Sequence, residues 1–379
     1  MKIGILTLPL HANYGGILQA YALQTIMKRL GHEVCHVEPA CSIAVPDPIL
    51  QRFIKYPIRL VKKIFINHGI VVRAEYKHNK TISVIQKYTR PFINKYLNIR
   101  FVNTYSNIKE NDYNAYVVGS DQVWRPDYIS NIENVFLDFT QGWNVKRIAY
   151  AASFGVDRLF FTDMQKARGA DLISKRLLRQ FDAVSVREDS GVDICMDFAG
   201  VQATCVLDPT LLLSVDDYNS LIKDKRVSKG DEILSYVLDN SDNITNFISN
   251  ISKYTGISVR ASNNTNIHNE NIPLKNRIQP PVEDWLRGFR DCKAVITDSF
   301  HACVFSVIYN KPFIVLGNKS RGMSRFESFL SKLGLNNRMV NDTADMQQIK
   351  NLLNTVPNVQ ERMESLKTGS MAFLMNNLM

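Results

Sequence analysis

Short apolar and β-branched runs alternate with helical patterns along this chain, and the alternation starts again in its second half. The first set of predicted strands lies at 3–8, 34–37, 115–119, 147–152, 183–186 and 205–207. The second set lies at 232–238, 257–260, 294–297 and 313–316. Strands that alternate with helices imply parallel sheets with crossover helices. The sequence therefore predicts an α/β protein built from two doubly wound, Rossmann-like halves.

The length of the chain supports this division. Its 379 residues exceed what one hydrophobic core usually organises, which favours two domains. We expect an N-terminal Rossmann-like domain over 1–215, with a basic helical insertion at about 45–100, and a C-terminal Rossmann-like domain over 216–345. Residues 346–379 have a helical pattern, and we expect these C-terminal helices to pack back on the N-terminal domain.

The positive charge of the chain is concentrated in one segment. The formal net charge is +10, and residues 51–100 hold twelve Lys or Arg side chains and a single acid, Glu75. Apolar residues recur there at roughly helical spacing over 50–66, with Pro57 inside the pattern. Two interpretations remain open: a helix packed on the first domain by its apolar stripe, or a basic helix in peripheral contact with an anionic membrane. Nucleic acid is not expected as a partner, because no reader motif accompanies the charge.

Other features of the composition narrow the class of protein. No run approaches the ~20 apolar residues that a membrane-spanning helix needs. We therefore expect a cytoplasmic protein, peripheral at the inner face of the membrane if the basic segment binds lipid. The six cysteines are not spaced as C-x-x-C, which gives a zinc site no support. We predict no metal and no cofactor.

Doubly wound folds bind ligands outside the carboxyl ends of their strands, so the residues just after each strand are the candidates. Asn13, Tyr14 and Gly15 follow the first strand. Backbone amides near a glycine and a helix N-terminus suit an oxygen-rich or anionic group. We expect these three residues to bind an acceptor substrate. A plain strand-to-helix turn is the alternative.

A second candidate segment follows the strand at 115–119. It carries polar groups and an aromatic plate that suit a sugar ring, namely Ser120, Asp121, Gln122 and Trp124. For Asp121, a helix N-cap explains the residue equally well.

Candidate groups for an anionic ligand follow the later strands. Arg187 comes after the strand at 183–186 and can fork onto phosphate or carboxylate, or form a surface ion pair with Glu188 or Asp189. A further cationic loop contains Lys319, Arg321 and Arg325, which can close over an anionic substrate or be a solvated basic loop.

His301 is the candidate acid. It follows Asp298 and Ser299 at the end of a very apolar strand and stands at a predicted helix start. A helix N-terminus disfavours imidazolium, so His301 acting as an acid needs a compensating anion nearby.

Several motifs together resemble the polysaccharide pyruvyltransferase family. They are N-Y-G-G at 13–16, V-V-G-S-D-Q-V-W at 117–124, S-V-R-E at 185–188, L-D-P-T at 207–210 and T-D-S-F-H at 297–301. The resemblance implies a GT-B-like arrangement of two Rossmann-like domains. It also implies transfer of the pyruvyl group of phosphoenolpyruvate onto two hydroxyls of a sugar, with release of phosphate. The sugar that accepts the group can be part of a lipid-linked surface-polysaccharide precursor.

The resemblance also implies residue roles. His301 matches the family's catalytic general acid, and Arg187 matches an arginine that holds the phosphoenolpyruvate anion. Next to His301, we expect Asp298 and Ser299 to bind the donor together with Arg187, Arg321 and Arg325. Some members carry an arginine two positions before the histidine, where this chain has Ser299; Arg321 or Arg325 could compensate. Two other functions stay open: a GT-B-type glycosyltransferase that uses a nucleotide sugar, and a non-catalytic glycan-binding or assembly subunit.

Overall fold

The structure, a computed structural model, describes residues 1–40, 49–65, 71–222, 230–239, 241–267, 269–317 and 322–379. Within these residues the strands form two parallel sheets. The strands of the first sheet are β1 Lys2–Leu6, β2 Glu33–Pro39, β3 Ile99–Val102, β4 Ala115–Asp121, β5 Lys146–Ala152, β6 Ala183–Val186 and β7 Thr204–Cys205. Those of the second are β8 Ile233–Tyr236, β9 Val259–Ala261, β10 Ala294–Thr297, β11 Phe313–Leu316 and β12 Met339–Val340.

Helices connect and cover these strands. In the first half they are α1 Tyr14–Arg29, α2 Ile49–Phe65, α3 Ala74–Ile85, α4 Thr89–Tyr96, α5 Asp163–Ala167, α6 Ala170–Leu178, α7 Asp189–Ala199 and α8 Val215–Asn219. In the second half they are α9 Asp242–Thr255, α10 Val282–Asp291, α11 Phe300–Ile308, α12 Ser324–Leu333, α13 Met346–Asn354 and α14 Gln360–Leu378. We call the first sheet with its helices the N-terminal lobe and the second the C-terminal lobe.

The strand orders explain the continuous apolar runs of the sequence. The first sheet has the order β3-β2-β1-β4-β5-β6-β7, and the second has the order β12-β11-β10-β8-β9. The central strand β4 is buried along its whole length, as are β8, β10 and β11. Parallel strands covered by helices on both faces require such runs, and this is why the strand predictions succeed in the central positions.

The edges of the sheets depart from the prediction. β3 begins at the end of the segment predicted to be a helical insertion, and it pairs with β2 from Ile99 to Val102. β12 pairs with β11 and was not predicted. Edge strands are short and only partly buried, so their apolar pattern is weak.

Helix α2 runs through Pro57 without ending there. The aliphatic and phenylalanine side chains that the structure describes between 53 and 64, among them Phe53 and Ile54, are exposed, so the interpretation of a helix packed by its apolar stripe is wrong. Among the described helices, none is long and apolar enough to cross a membrane.

Helix α14 returns to the N-terminal lobe. The Ser370 hydroxyl accepts a hydrogen bond from the Leu207 N–H at 2.9 Å, and Phe373 lies 6.2 Å from Tyr150 between ring centroids. The Lys146 ammonium donates to the Asn377 carbonyl at 3.2 Å. At the start of the same helix, Nη1 of Arg362 donates to the Leu333 carbonyl of α12 at 2.7 Å, so α14 contacts both lobes.

We expect Leu374→Ala to lower the free energy of unfolding by about 2–5 kcal/mol, because Leu374 is fully buried and the change leaves a cavity. Met375→Ala, at an exposed neighbouring position of the same helix, is the matched control and should change it by less than about 0.5 kcal/mol. Urea denaturation measures both. Equal effects of the two variants would contradict the packing of α14.

Candidate active site

The carboxyl ends of strands from both lobes meet at His301. Its Nε2 atom lies 3.5 Å from Nη1 of Arg187 and 3.5 Å from Oδ2 of Asp208. His301 belongs to the C-terminal lobe, in the first turn of α11, whereas Arg187 follows β6 and Asp208 follows β7 of the N-terminal lobe. All three side chains are buried. The junction of the lobes therefore contains an imidazole, a guanidinium and a carboxylate in mutual reach.

Two carboxylates surround the Arg187 guanidinium. Nη1 donates to Asp208 Oδ2 at 2.7 Å, and Nη2 donates to Asp121 Oδ1 at 3.2 Å. Burial alone would lower the pKa of Arg187, but the charges of Asp208, Asp121 and Glu188 outweigh it and raise that pKa. The alternative of a surface ion pair for Arg187 is wrong, because its side chain is almost fully buried.

Asp208 has its carboxylate fixed from several directions. Oδ1 accepts from the Thr210 N–H at 3.0 Å and from the Thr210 hydroxyl at 2.6 Å, while Oδ2 accepts from the Ser120 hydroxyl at 3.2 Å. Burial would raise the pKa of Asp208, but the contacts with His301, Arg187 and Thr210 hold it well below its usual range. Asp208 is thus a fixed anion beside the imidazole.

Ser120 and Asp121 belong to this network. Ser120 is buried and also donates to the Ala151 carbonyl at 3.2 Å. Asp121 ends β4 with a φ of 72°, in the left-handed region that aspartate tolerates better than most residues. That conformation turns its carboxylate toward Arg187, and the N-cap alternative for Asp121 is not what the structure shows.

The loop after β1, in the N-terminal lobe, leads into α1, whose first turn packs closely against His301. Asn13 caps α1 by accepting hydrogen bonds from the N–H groups of Gly15 and Gly16 at 3.1 and 3.4 Å. A Cβ atom added to Gly15 would lie 2.2 Å from Nδ1 of His301. Glycine at position 15 is what lets the α1 backbone approach the imidazole so closely.

Tyr14 does not face an open acceptor site. It is fully buried, its hydroxyl donates to the Pro280 carbonyl at 2.8 Å, and its ring lies 5.4 Å from that of Trp285. The prediction of acceptor binding by Tyr14 is corrected: the side chain joins the lobes. The motif could not reveal this, because a tyrosine before a glycine pair has the same pattern in either environment.

The aromatic plate predicted at Trp124 is also core. The indole is fully buried, stacks on Phe136 at 5.2 Å and donates from Nε1 to the Val135 carbonyl at 3.1 Å. Sugar stacking by Trp124 is therefore wrong. Gln122 is buried as well, and its Oε1 accepts from Nη1 of Arg125 at 3.1 Å.

Arg325 is the second guanidinium of the site. It is buried, and its guanidinium carbon lies 5.6 Å from the centroid of the Phe300 ring, while that of Arg187 lies 4.7 Å from the same centroid. Burial and the nearby charge of Arg187 lower the pKa of Arg325 to about 10. Arg325 is therefore not part of a solvated basic loop; Lys319 and Arg321 lie outside the described residues.

Asp298 and Ser299 stand between β10 and α11. The Asp298 carboxylate accepts from the N–H groups of Leu238 and Asp239 at 2.7 and 3.1 Å, which ties the loop after β8 to the end of β10. The Ser299 N–H donates to the Thr297 hydroxyl at 2.9 Å. Donor binding by Asp298 and Ser299 stays a prediction. The contacts of Asp298 show that its carboxylate also holds the loop after β8 in place.

Two buried carboxylates of the site, those of Asp208 and Glu188, were not predicted as site residues. Asp208 lies in the L-D-P-T motif, and its position after a strand was the signal that could have marked it. Glu188 is fully buried, and its Oε1 accepts from the Ser153 hydroxyl and from the N–H groups of Phe154 and Gly155 at 2.9, 2.8 and 3.1 Å. Among the described residues, no group of three His, Cys, Asp or Glu side chains could hold a metal ion.

Comparison with known proteins places this geometry in context. Residues 13–320 match the family Polysaccharide pyruvyl transferase. No curated protein sequence is significantly similar to the chain.

Solved structures resemble the whole chain. The UDP-GlcNAc 2-epimerase of Methanocaldococcus jannaschii is similar with a TM-score of 0.50 and 13% identity over 100% of both chains. The UDP-GlcNAc 2-epimerase of Neisseria meningitidis, bound to UDP-GlcNAc, has a TM-score of 0.49 and 10% identity over 100% of this chain and 99% of that one. MurG of Acinetobacter baumannii has a TM-score of 0.44 and 10% identity over 99% and 98%. At 13% identity, the similarity to the Methanocaldococcus jannaschii epimerase shows the fold alone. Together with the two parallel sheets, it confirms the predicted α/β fold of two Rossmann-like halves in a GT-B-like arrangement.

We expect Gly15→Ala to displace the His301 ring and to lower the free energy of unfolding by about 1–3 kcal/mol through overpacking. Gly16→Ala is the matched control, since its new Cβ would meet Asp121 at an ordinary 3.7 Å. Thermal unfolding and the NMR resonances of the His301 ring report the two effects. If Gly15→Ala leaves both unchanged, the close approach of α1 to His301 is incorrect.

Proposed function

The chain belongs to the polysaccharide pyruvyl transferase family, and on that premise we propose that it moves the pyruvyl group of phosphoenolpyruvate onto hydroxyls of a sugar in a surface-polysaccharide precursor. The observation that supports this most directly is the meeting of His301, Arg187 and Asp208 within 3.5 Å at the junction of the lobes. Membership of the family makes the protein a transferase of polysaccharide synthesis; the donor, the ketal product and a cytoplasmic location belong to the proposal.

The proposed reaction balances without an oxidant or reductant. One sugar hydroxyl adds to C2 of phosphoenolpyruvate while C3 takes up a proton from an acid and becomes a methyl group, and the proton of that hydroxyl replaces it on the acid. The second hydroxyl then bonds to C2 as the bond from C2 to the phosphate oxygen breaks, and its proton leaves with the phosphate. A pyruvate ketal and inorganic phosphate result.

His301 is the proposed source of the proton for C3. The Asp208 carboxylate, which Thr210 and Ser120 hold in place, lies 3.5 Å from the Nε2 atom of this ring. In this proposal Asp208 is a positioning residue that orients the imidazole, and general acid catalysis contributes roughly 10²–10⁴-fold to the rate.

The donor anion needs cations in the same closed site. Arg187 has two of its nitrogens bonded to carboxylates, whereas its buried Nε has no hydrogen-bond partner in the described part of the chain. A buried donor without an acceptor costs free energy, which an anionic ligand would recover. We assign the donor's phosphate and carboxylate to Arg187 and Arg325, which approach the same Phe300 ring.

This assignment accounts for the departure at position 299. In family members that carry an arginine two positions before the histidine, that arginine provides a cation at the start of the helix that corresponds to α11. Here Arg325, in the first turn of α12, supplies a buried guanidinium next to Phe300 in its place.

We expect His301→Asn to reduce phosphate release from phosphoenolpyruvate by about 10²–10⁴-fold, with the membrane glycolipid fraction of the source cells as acceptor. His78→Asn, at an exposed position on α3, is the control and should behave as wild type. Circular dichroism shows whether both variants are folded. Undiminished turnover in folded His301→Asn would remove the catalytic assignment.

The alternatives give different results with the wild-type protein. Thermal stabilisation by UDP- or GDP-sugars and not by phosphoenolpyruvate would favour a nucleotide-sugar glycosyltransferase. Glycan binding without binding of any donor would favour a non-catalytic subunit.

We expect Arg325→Met to weaken phosphoenolpyruvate binding by about 10–100-fold, since one charge-assisted hydrogen bond contributes about 1.5–3 kcal/mol. Ser299→Arg in the same background should recover much of the affinity by restoring the arginine of other members. Arg287→Met, at a buried arginine of α10 that pairs with Asp284, is the control. Calorimetric titration measures the dissociation constants, and an unchanged constant for Arg325→Met would contradict the clamp.

A further inference from the structure

Helix α2 is oriented with its polar side toward the protein. The Arg59 guanidinium donates to both carboxylate oxygens of Glu75 on α3, from Nη2 to Oε1 at 2.8 Å. Lys55 lies 4.0 Å from the same carboxylate. Tyr56 and Arg59 are the partly buried side chains on this side of the helix. The contacts fix which side of α2 faces the lobe.

The opposite side of α2 is apolar and faces outward. Successive residues of a helix are separated by 100°, so side chains at 53, 54, 58, 60, 61 and 64 share one broad face. Their exposures are 74% for Phe53, 62% for Ile54, 50% for Ile58, 49% for Leu60, 55% for Val61 and 54% for Ile64. A surface helix of a globular protein buries such a face, whereas α2 presents it to the surroundings. An apolar patch of this kind marks an interaction surface.

The charge around this face selects the partner. Helix α2 contains Arg52, Lys55, Arg59, Lys62 and Lys63 and no acidic residue. Lys62 and Lys63 are both exposed, and Lys62, four residues after Ile58, borders the apolar face. A second copy of this chain would bring an equally basic segment against the first, and the like charges would repel. A lipid surface with anionic headgroups accepts both the apolar side chains and the cations.

We propose that α2 docks the protein on an anionic membrane surface. The exposed apolar side chains enter the boundary between headgroups and acyl chains, and the exposed lysines of the helix bind lipid phosphates. The proposal rests on the orientation of α2 and goes beyond the proposed pyruvyl transfer, on which it does not depend.

The docking helix is connected to the candidate active site through the helices that follow it. Glu75 of α3 binds Arg59 of α2. Helix α4 holds the loop after β1: the Thr89 hydroxyl donates to the His11 carbonyl at 3.0 Å, and Nη2 of Arg90 donates to the Leu10 carbonyl at 3.0 Å. The same loop continues to Gly15, which lies against His301.

Vesicle flotation of the full chain tests the proposal without donor or acceptor. We expect the protein to float with phosphatidylcholine vesicles that contain phosphatidylglycerol, and neither with phosphatidylcholine alone nor in about 0.5 M salt, where screening is nearly complete. The double change Phe53→Ser and Val61→Ser, and separately Lys62→Glu and Lys63→Glu, should each lower the partition coefficient about tenfold or more.

Matched controls alter exposed residues elsewhere in the chain. Met164→Ser with Leu172→Ser removes apolar side chains that are 83% and 69% exposed, and Lys166→Glu with Lys253→Glu reverses two exposed lysines. Both should bind vesicles as wild type does.

Absence of binding to the anionic vesicles, or equal losses in control and α2 variants, would overturn the proposal. Light scattering that shows a dimer lost on Phe53→Ser with Val61→Ser, without vesicle binding, would assign the face to a second copy instead. Because binding is measured without turnover, failure here leaves the pyruvyl-transfer proposal untouched.

Discussion

The burial of Arg187 is the constraint on which the junction of the two lobes depends. Its residue exposure is 4%, and an uncompensated charge at such a place would cost several kcal/mol. Asp121 and Asp208 reach it from the ends of two other strands of the same sheet, so the pairing requires those ends to stay aligned. Asp208 also faces His301 of the other lobe. The carboxylate that balances a buried charge in one lobe therefore also orients the imidazole of the other.

The charges around His301 are almost balanced. Among the described side chains of the cluster, the guanidiniums of Arg187 and Arg325 face three carboxylates, those of Asp121, Asp208 and Glu188. On the proposed mechanism the donor is an anion that enters this set, and the two guanidiniums are the groups that bind it. The carboxylates that hold Arg187 in place therefore also compete with the donor for its positive charge.

The sequence could predict where the site lies better than what each residue does there. Parallel strands end at one edge of a sheet, so the residues that follow them are expected to lie close together. This rule correctly predicts the neighbourhood of Gly15, Asp121, Arg187 and His301. The same rule cannot say whether a side chain points into the cleft or into the core. Trp124 fails for this reason, since its packing partner Phe136 lies in a separate segment of the chain that the strand-end rule does not examine.

Helix α2 shows the same limit on the surface. Its sequence period defines an apolar side and a basic side, but only a tertiary contact decides which side faces the protein. That contact is with Glu75, the single acid in residues 51–100, which binds Arg59 and lies near Lys55. Glu75 holds the side of α2 that carries Arg59 against the protein, so the apolar side faces outward, while Lys62 and Lys63 stay exposed. The orientation therefore follows from the position of one acid on the next helix, and the composition of α2 alone does not contain it.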